Sequence, residues 1–279
     1  SENYFQCIKQ SFECLLNVFE IERKYDLIVS NYIELESEFN SVLVNHLVGR
    51  YPGWINHLEV QLQINRRLAN FLSTCKTYMD QKSRHVSACF DGAKDQSDGL
   101  EKFANSVYET NPHYRLMEAL RNHVQHYSLA VHESKIGGKR MEDPKTEFEY
   151  KAAFYLKKTE ILQNKGFKAS VRDEMPSKVE IISSVRSYMR DLSKIHTEAR
   201  KILAERTNDS YQVLLDILGS DQKGGLELSI EALSQGEDGE VVDRVPVMLS
   251  HYHEINKFQQ KNMELHKIDR GYISTSPFE

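Results

Sequence analysis

Residues 4–42 read YFQCIKQSFECLLNVFEIERKYDLIVSNYIELESEFNSV. Apolar or small side chains recur at Tyr4, Cys7, Ser11, Cys14, Val18, Ile21, Tyr25, Ile28, Tyr32, Leu35, Phe39 and Val42, in alternating steps of three and four. That spacing keeps one face of a helix apolar without interruption and predicts a single helix of about 40 residues. A second, partial stripe at Phe5, Ile8, Phe12, Leu15 and Phe19 widens the apolar face over the first half. More than one packing neighbour is expected there, and a simpler two-helix seam beyond it.

Working outward, Tyr51-Pro52-Gly53 breaks the pattern, and a second long helix is predicted from Gly53 to Phe90. It carries Leu58, Leu62, Ala69, Leu72 and Met79 on one stripe and Val60, Ile64, Leu68, Phe71, Cys75 and Tyr78 on another, a face broad enough for the middle of a bundle. Asp91 to Gly99 reads as a polar loop and Leu100 to Tyr108 as a short helix. Thr110-Asn111-Pro112 is a helix start, with a polar cap and a proline at the first helical position. The helix it opens is expected to continue until Gly137-Gly138. From Gly137 to Pro144 a loop is expected that exposes Lys139 and Arg140, either as a phosphate contact or as a solvated turn. Phe148 to Gln163, rich in aromatic residues, predicts a strand or small hairpin.

Pro176-Ser177 opens another long helix, with Ile182, Val185, Met189, Leu192, Ile195, Ala199 and Ile202 at helical spacing, ending by Asn208 and followed by a helix over Ser210 to Leu218. Asp221 to Asp243 is acidic and contains glycine around a short amphipathic piece, Leu226 to Leu233, and a last helix is expected from Pro246 to Lys267. The chain has 13 Gly and 6 Pro, too few for an architecture of many short strands. The fold expected is mostly all-α: a long-helix bundle over 1–210 with a small β-hairpin insert near 148–163. Residues 211–279 are expected to form a C-terminal helical extension with a mobile acidic loop, packed on the same domain.

A net charge of −5 and a pI near 6.1 exclude a protein that coats nucleic acid through overall charge, so any phosphate contact must come from a local basic patch. Cys7, Cys14, Cys75 and Cys89 form no C-x-x-C pair and read as small core residues in a reducing compartment. No apolar run approaches the roughly 18 residues of a membrane span, and no charged-then-apolar leader opens the chain. A cytoplasmic protein with no membrane partner is expected.

Between Arg115 and His132, Arg121, Asn122 and His126 depart from generic helical scaffold. At about 100° per residue, Arg121 at zero places Asn122 near 100° and His126 near 140°. Leu116, Met117, Leu120, Val124, Tyr127 and Val131 fall in an arc from roughly 220° to 320°, so the core-facing stripe is supplied without the three polar residues. His123, near 200°, sits at the edge of the apolar arc and is expected to be a core-edge side chain. A second Arg-polar-…-His match, Arg190-Asp191 with His196, puts its histidine inside the apolar arc of its own helix, and a hydrogen-bonded core or interface histidine is expected there. His113, His123, His126 and His132 crowd one segment, but no Glu-x-x-His pairing accompanies them, and no metal is expected.

Arg121-Asn122-x-x-x-His126 resembles the Arg-polar-x(3–5)-His motif of the HEPN family of helical domains, a likeness that covers roughly residues 1–210. The resemblance implies a metal-independent endoribonuclease without cofactor, acting as a toxin or antiviral-defence effector. It implies a homodimer in which two motif helices meet to form a composite site, with RNA as substrate and an antitoxin or regulator as a further partner. Arg121 would hold the scissile phosphate, Asn122 orient it, and His126 transfer the proton. The chemistry suits these residues. Imidazole titrates near neutrality, and a guanidinium forks onto two phosphate oxygens. The products implied are a 2′,3′-cyclic phosphate and a 5′-hydroxyl. The alternative function is a noncatalytic helical interaction or regulatory protein on the same scaffold.

Overall fold

The computed structural model describes residues 2–50, 54–140, 148–219 and 230–273. Its elements, in order, are α1 (Glu2–Leu47), α2 (Trp54–Cys89), α3 (Asp95–Thr110), α4 (Pro112–His126), β1 (Glu133–Arg140), β2 (Phe148–Lys157), α5 (Lys158–Ile161), α6 (Ala169–Glu174), β3 (Lys178–Glu180), α7 (Ile181–Leu218), β4 (Ile230–Gln235), β5 (Val241–Val247) and α8 (Ser250–Lys261). The fold is mostly helical, as the apolar periodicities predict, and the described residues also form a two-stranded and a three-stranded sheet. No helix among the described residues is long and apolar enough to cross a membrane.

The stripe of residues 4–42 folds as one 46-residue helix, and its i, i+3/i+4 positions are buried from Ser11 through Cys14, Val18, Ile21, Tyr25, Ile28, Leu35 and Phe39 to Val42. At its start Tyr4 and Cys7 are exposed, so Cys7 is not the core residue expected, and Phe5 and Ile8 of the second stripe are buried instead. The chain forms two compact units, one of residues 1–27, 77–104 and 195–264, the other of residues 28–76, 105–194 and 265–279. α1, α2 and α7 contribute to both.

In the first unit the core is built on Cys14, Val18 and Ile21 of α1, Cys89 of α2 and Leu203 and Leu214 of α7. At its centre Glu22, 1% exposed, accepts hydrogen bonds from Arg200 Nε (2.8 Å) and Nη2 (2.6 Å) and from His196 Nε2 (3.2 Å). β4 and β5 form an antiparallel hairpin running from Ile230 opposite Val247 to Gln235 opposite Val241. Lys9 and Asp243, 2.7 Å apart, fasten it to α1.

In the second unit Phe71 of α2 packs edge-on against Tyr188 of α7, and Tyr188 against Tyr114 of α4. Arg186 bonds both carboxylate oxygens of Glu36 at 2.7 and 2.8 Å, joining α7 to α1. β1, β2 and β3 make an antiparallel sheet in that order. β2 turns Phe154 and Leu156 inward, and Phe154 stacks on Phe39.

Four expectations are corrected. α4 stops at His126, well short of Gly137. Glu133–Arg140, expected to be helix and loop, is strand β1, pairing from Glu133 opposite Tyr155 to Arg140 opposite Phe148. Gly138 serves this pairing: a Cβ on it would stand 3.3 Å from the Tyr150 ring. The helix expected from Pro176-Ser177 begins only at Ile181, after strand β3 (Lys178–Glu180), and runs to Leu218 with no break at Asn208. Residues 230–235 and 241–247 are strands, so the last helix is confined to Ser250–Lys261. Residues 141–147 and 220–229, which include parts of the expected Lys139–Arg140 loop and of the acidic segment, lie outside the described residues.

Candidate functional site

α4 is anchored at its start by Asn111. The cap accepts from His113 N through Oδ1 (2.9 Å) and donates through Nδ2 to Ser187 Oγ (3.0 Å) and Asp191 Oδ2 (2.5 Å), both on α7. Tyr114, Leu116, Met117, Ala119 and Leu120 bury one face of the helix, so the register of the opposite face is fixed. Val124 is only half-buried and Tyr127 is 51% exposed, so the apolar arc drawn on a longer helix breaks down past Leu120. Val131 is buried, but beyond the helix.

What ends α4 comes from α2. Asn65, buried, accepts from Ala130 N and Val131 N through Oδ1 (2.9 Å each) and donates to Val131 O (3.2 Å). These bonds hold the backbone out of the helix, which would need the same N–H groups for its own carbonyls.

Arg121, Asn122 and His126 all line one cleft of about 490 Å³. Its other wall comes from the segment between α5 and α6, through Asn164, Phe167 and Lys168, and from Tyr108 of α3. Asn122 and His126 are exposed, and Arg121 is half-buried, with Nη1 donating to Gln125 Oε1 (3.2 Å). Arg121 Nε is buried and has no hydrogen-bond partner among the described residues. Lys168 adds a second cation. Its Nζ lies 4.7 Å from the centre of the Tyr108 ring and 2.5 Å from the Tyr108 hydroxyl.

His123 is 1% exposed and also lines the cleft. Nδ1 stands 3.0 Å from Asn164 Nδ2, and Nε2 has no hydrogen-bond partner among the described residues. Burial, and secondarily the neighbouring His132, push its pKa below the usual histidine range. It therefore remains neutral at physiological pH.

Of the residues singled out in sequence, the structure brings Arg121, Asn122 and His126 together. Lys139 and Arg140 are exposed on β1, not on a loop, and neither lines the cleft. His123 is the expected core-edge side chain that also faces the cleft. Asn164, Phe167, Lys168 and Tyr108 carry no sequence signal for the site.

The second motif match is a core feature. His196 is 1% exposed, stacks on Tyr25 at 3.8 Å and lies 3.0 Å from the Tyr78 hydroxyl through Nδ1. Arg190 pairs with Asp191 at 2.9 Å and with Asp269. Among the described residues no group of three or more His, Cys, Asp or Glu side chains is arranged to hold a metal ion.

Two cations, two imidazoles and two amides thus line the cleft, together with the Glu118 carboxylate and the rings of Tyr108, Tyr127 and Phe167; the cations outnumber the carboxylate, which suits a phosphate-bearing ligand. No family model, curated protein or solved structure matches the chain.

Proposed function

We propose that the protein is a HEPN-like, metal-independent endoribonuclease whose site is the cleft at the end of α4. The observation that carries this reading is that Arg121, Asn122 and His126 line one cleft together with a further cation, Lys168. In the reaction, His126 takes the proton of a ribose 2′-hydroxyl and the 2′-oxygen bonds to phosphorus. The P–O5′ bond then breaks and the 5′-oxygen leaves with a proton. Arg121 forks onto the non-bridging oxygens, where charge develops, and Asn122 orients the phosphodiester. A second copy of the chain, meeting the first along the motif helix, would supply the second proton-transfer group. A toxin or antiviral-defence role, held in check by an antitoxin or regulator, follows from the same reading.

The test is cleavage of single-stranded RNA in excess EDTA by the wild type, Arg121→Ala and His126→Ala, with helical content followed by circular dichroism. Activity in the wild type alone, at equal helicity, supports the assignment. Undiminished cleavage by His126→Ala overturns it.

One observation favours a noncatalytic interaction protein instead. Val44 and Leu47 of α1 and Leu58 and Leu62 of α2 are 47–59% exposed, apolar surface of the kind that docks a partner. An inactive wild type that forms a stable complex, weakened by Leu62→Lys, would favour that function.

A further inference from the structure

The orientation of the Asn164 side chain fixes the protonation state of His123. Asn164 Oδ1 accepts the Gly166 N–H at 2.9 Å, so the group that stands 3.0 Å from His123 Nδ1 is the amide nitrogen, a donor. A donor opposite Nδ1 requires Nδ1 to accept, and in a neutral imidazole the proton must then sit on Nε2. The ring is neutral because burial holds its pKa low. Nε2 therefore carries an N–H that is buried and has no hydrogen-bond partner among the described residues. The Leu129 carbonyl favours the charged ring and the His132 ring opposes it, but burial outweighs the carbonyl, and Nε2 has no hydrogen bond of normal geometry among the described residues. Arg121 Nε, in the same cleft, is a second buried N–H without an acceptor. A buried donor left unpaired is costly, and a ligand oxygen relieves that cost while an apolar ligand does not.

We propose that His123 is a substrate-contacting residue of the cleft, its neutral Nε2–H donating to a phosphoryl oxygen of the bound phosphodiester. His123 thus has a different task from His126. It stays neutral throughout and stabilises charge on the phosphate, whereas His126 moves the proton. A neutral imidazole suits the first task because its N–H is already in place and needs no titration. Asn164 is the positioning residue that selects the tautomer. Lys168, on the same connecting segment, supplies the cation beside it. The inference rests on the ribonuclease reading for the identity of the phosphodiester, and its test separates the two.

The protein is labelled with ¹⁵N-histidine, and a long-range ¹H–¹⁵N spectrum reports the tautomer of each ring. The His123 signal is identified by its absence in His123→Gln. The probes are inorganic phosphate and a single-stranded 2′-deoxy oligonucleotide, which lacks the attacking hydroxyl. The proposal expects an Nε2–H tautomer in the free protein and a shift of that resonance with each probe. In the RNA assay, His123→Ala lowers the rate roughly ten- to hundred-fold, the loss of a hydrogen bond to a charged oxygen. His123→Gln, whose amide can donate from the same place, retains activity within about threefold. An Nδ1–H tautomer, or a resonance that neither probe moves, overturns the proposal, as does full activity in His123→Ala while His126→Ala is dead. A wild type that cuts no RNA but shows the phosphate-induced shift refutes the ribonuclease reading and leaves the phosphate contact standing.

Discussion

Glu22→Gln is expected to destabilise the first unit by about 3 kcal/mol at neutral pH, and by progressively less as the solution is acidified. Glu22 is 1% exposed. Burial alone would raise its pKa, but the hydrogen bonds from His196 and Arg200, with the Arg200 charge, outweigh burial and hold it at about 2, against an ordinary value of 4.5. A difference of about 2.5 units at about 1.4 kcal/mol per unit gives about 3–3.5 kcal/mol of stabilisation. Because the folded-state pKa is depressed, that contribution is complete above about pH 4.5 and is lost as pH falls through about 2. His196 acts in the same direction. Burial lowers its pKa, so the unfolded chain takes up a proton below about pH 6.5 that the fold resists. Its neutral form is fully bonded, with Nε2–H donating to Glu22 and Nδ1 accepting from Tyr78. The glutamine variant keeps the volume and removes the charge. Urea unfolding of both proteins at pH 7, 4.5 and 3, followed by circular dichroism, measures the gap. A gap of about 3 kcal/mol that narrows towards pH 3 agrees with the buried Glu22–Arg200–His196 network, and a gap that is absent or constant with pH refutes it.

Asn65→Ala leaves the Ala130 and Val131 N–H groups without their acceptor and is expected to cost about 2–4 kcal/mol. Its melting temperature should fall, and the residual folded protein should cleave RNA more slowly because the exit from α4 is no longer fixed; a variant as stable and active as the wild type would contradict the role given to Asn65. Among the four thiols, Cys7 is exposed and Cys14, Cys75 and Cys89 are at most 1% exposed, with burial raising the Cys75 thiol pKa. A colorimetric disulfide reagent should therefore titrate one thiol in the native protein and four in guanidinium, and two or more fast-reacting native thiols would contradict the burial.

The long helices and the start of α4 were legible because their signals are local: the i, i+3/i+4 apolar stripe of α1 and the cap-and-proline pair Asn111-Pro112 need no distant partner. The end of α4 was not legible. Val131 continues the helical apolar period, and it is Asn65, 65 positions before Ala130, whose side chain engages the Ala130 and Val131 backbone instead. β1 was missed for a related reason. Gly137 and Gly138 favour loops in isolation, but in the sheet Gly138, opposite Tyr150, lets an aromatic ring lie against the strand. Pro246, which opens helices in sequence terms, stands instead in β5 opposite Glu231. At the site, one helix face was enough to group Arg121, Asn122 and His126. Asn164 and Lys168 were invisible because a connecting segment carries no periodicity, and packing against α4 alone makes them part of the cleft.

The most direct measurement of the central claim is the chemistry of the RNA ends formed in excess EDTA by the wild type, with His126→Ala run beside it. The account predicts fragments ending in 2′,3′-cyclic phosphate and beginning with 5′-hydroxyl, from the wild type and not from the variant. Fragments with 3′-hydroxyl and 5′-phosphate ends, or cyclic phosphate ends formed equally by His126→Ala, would contradict it.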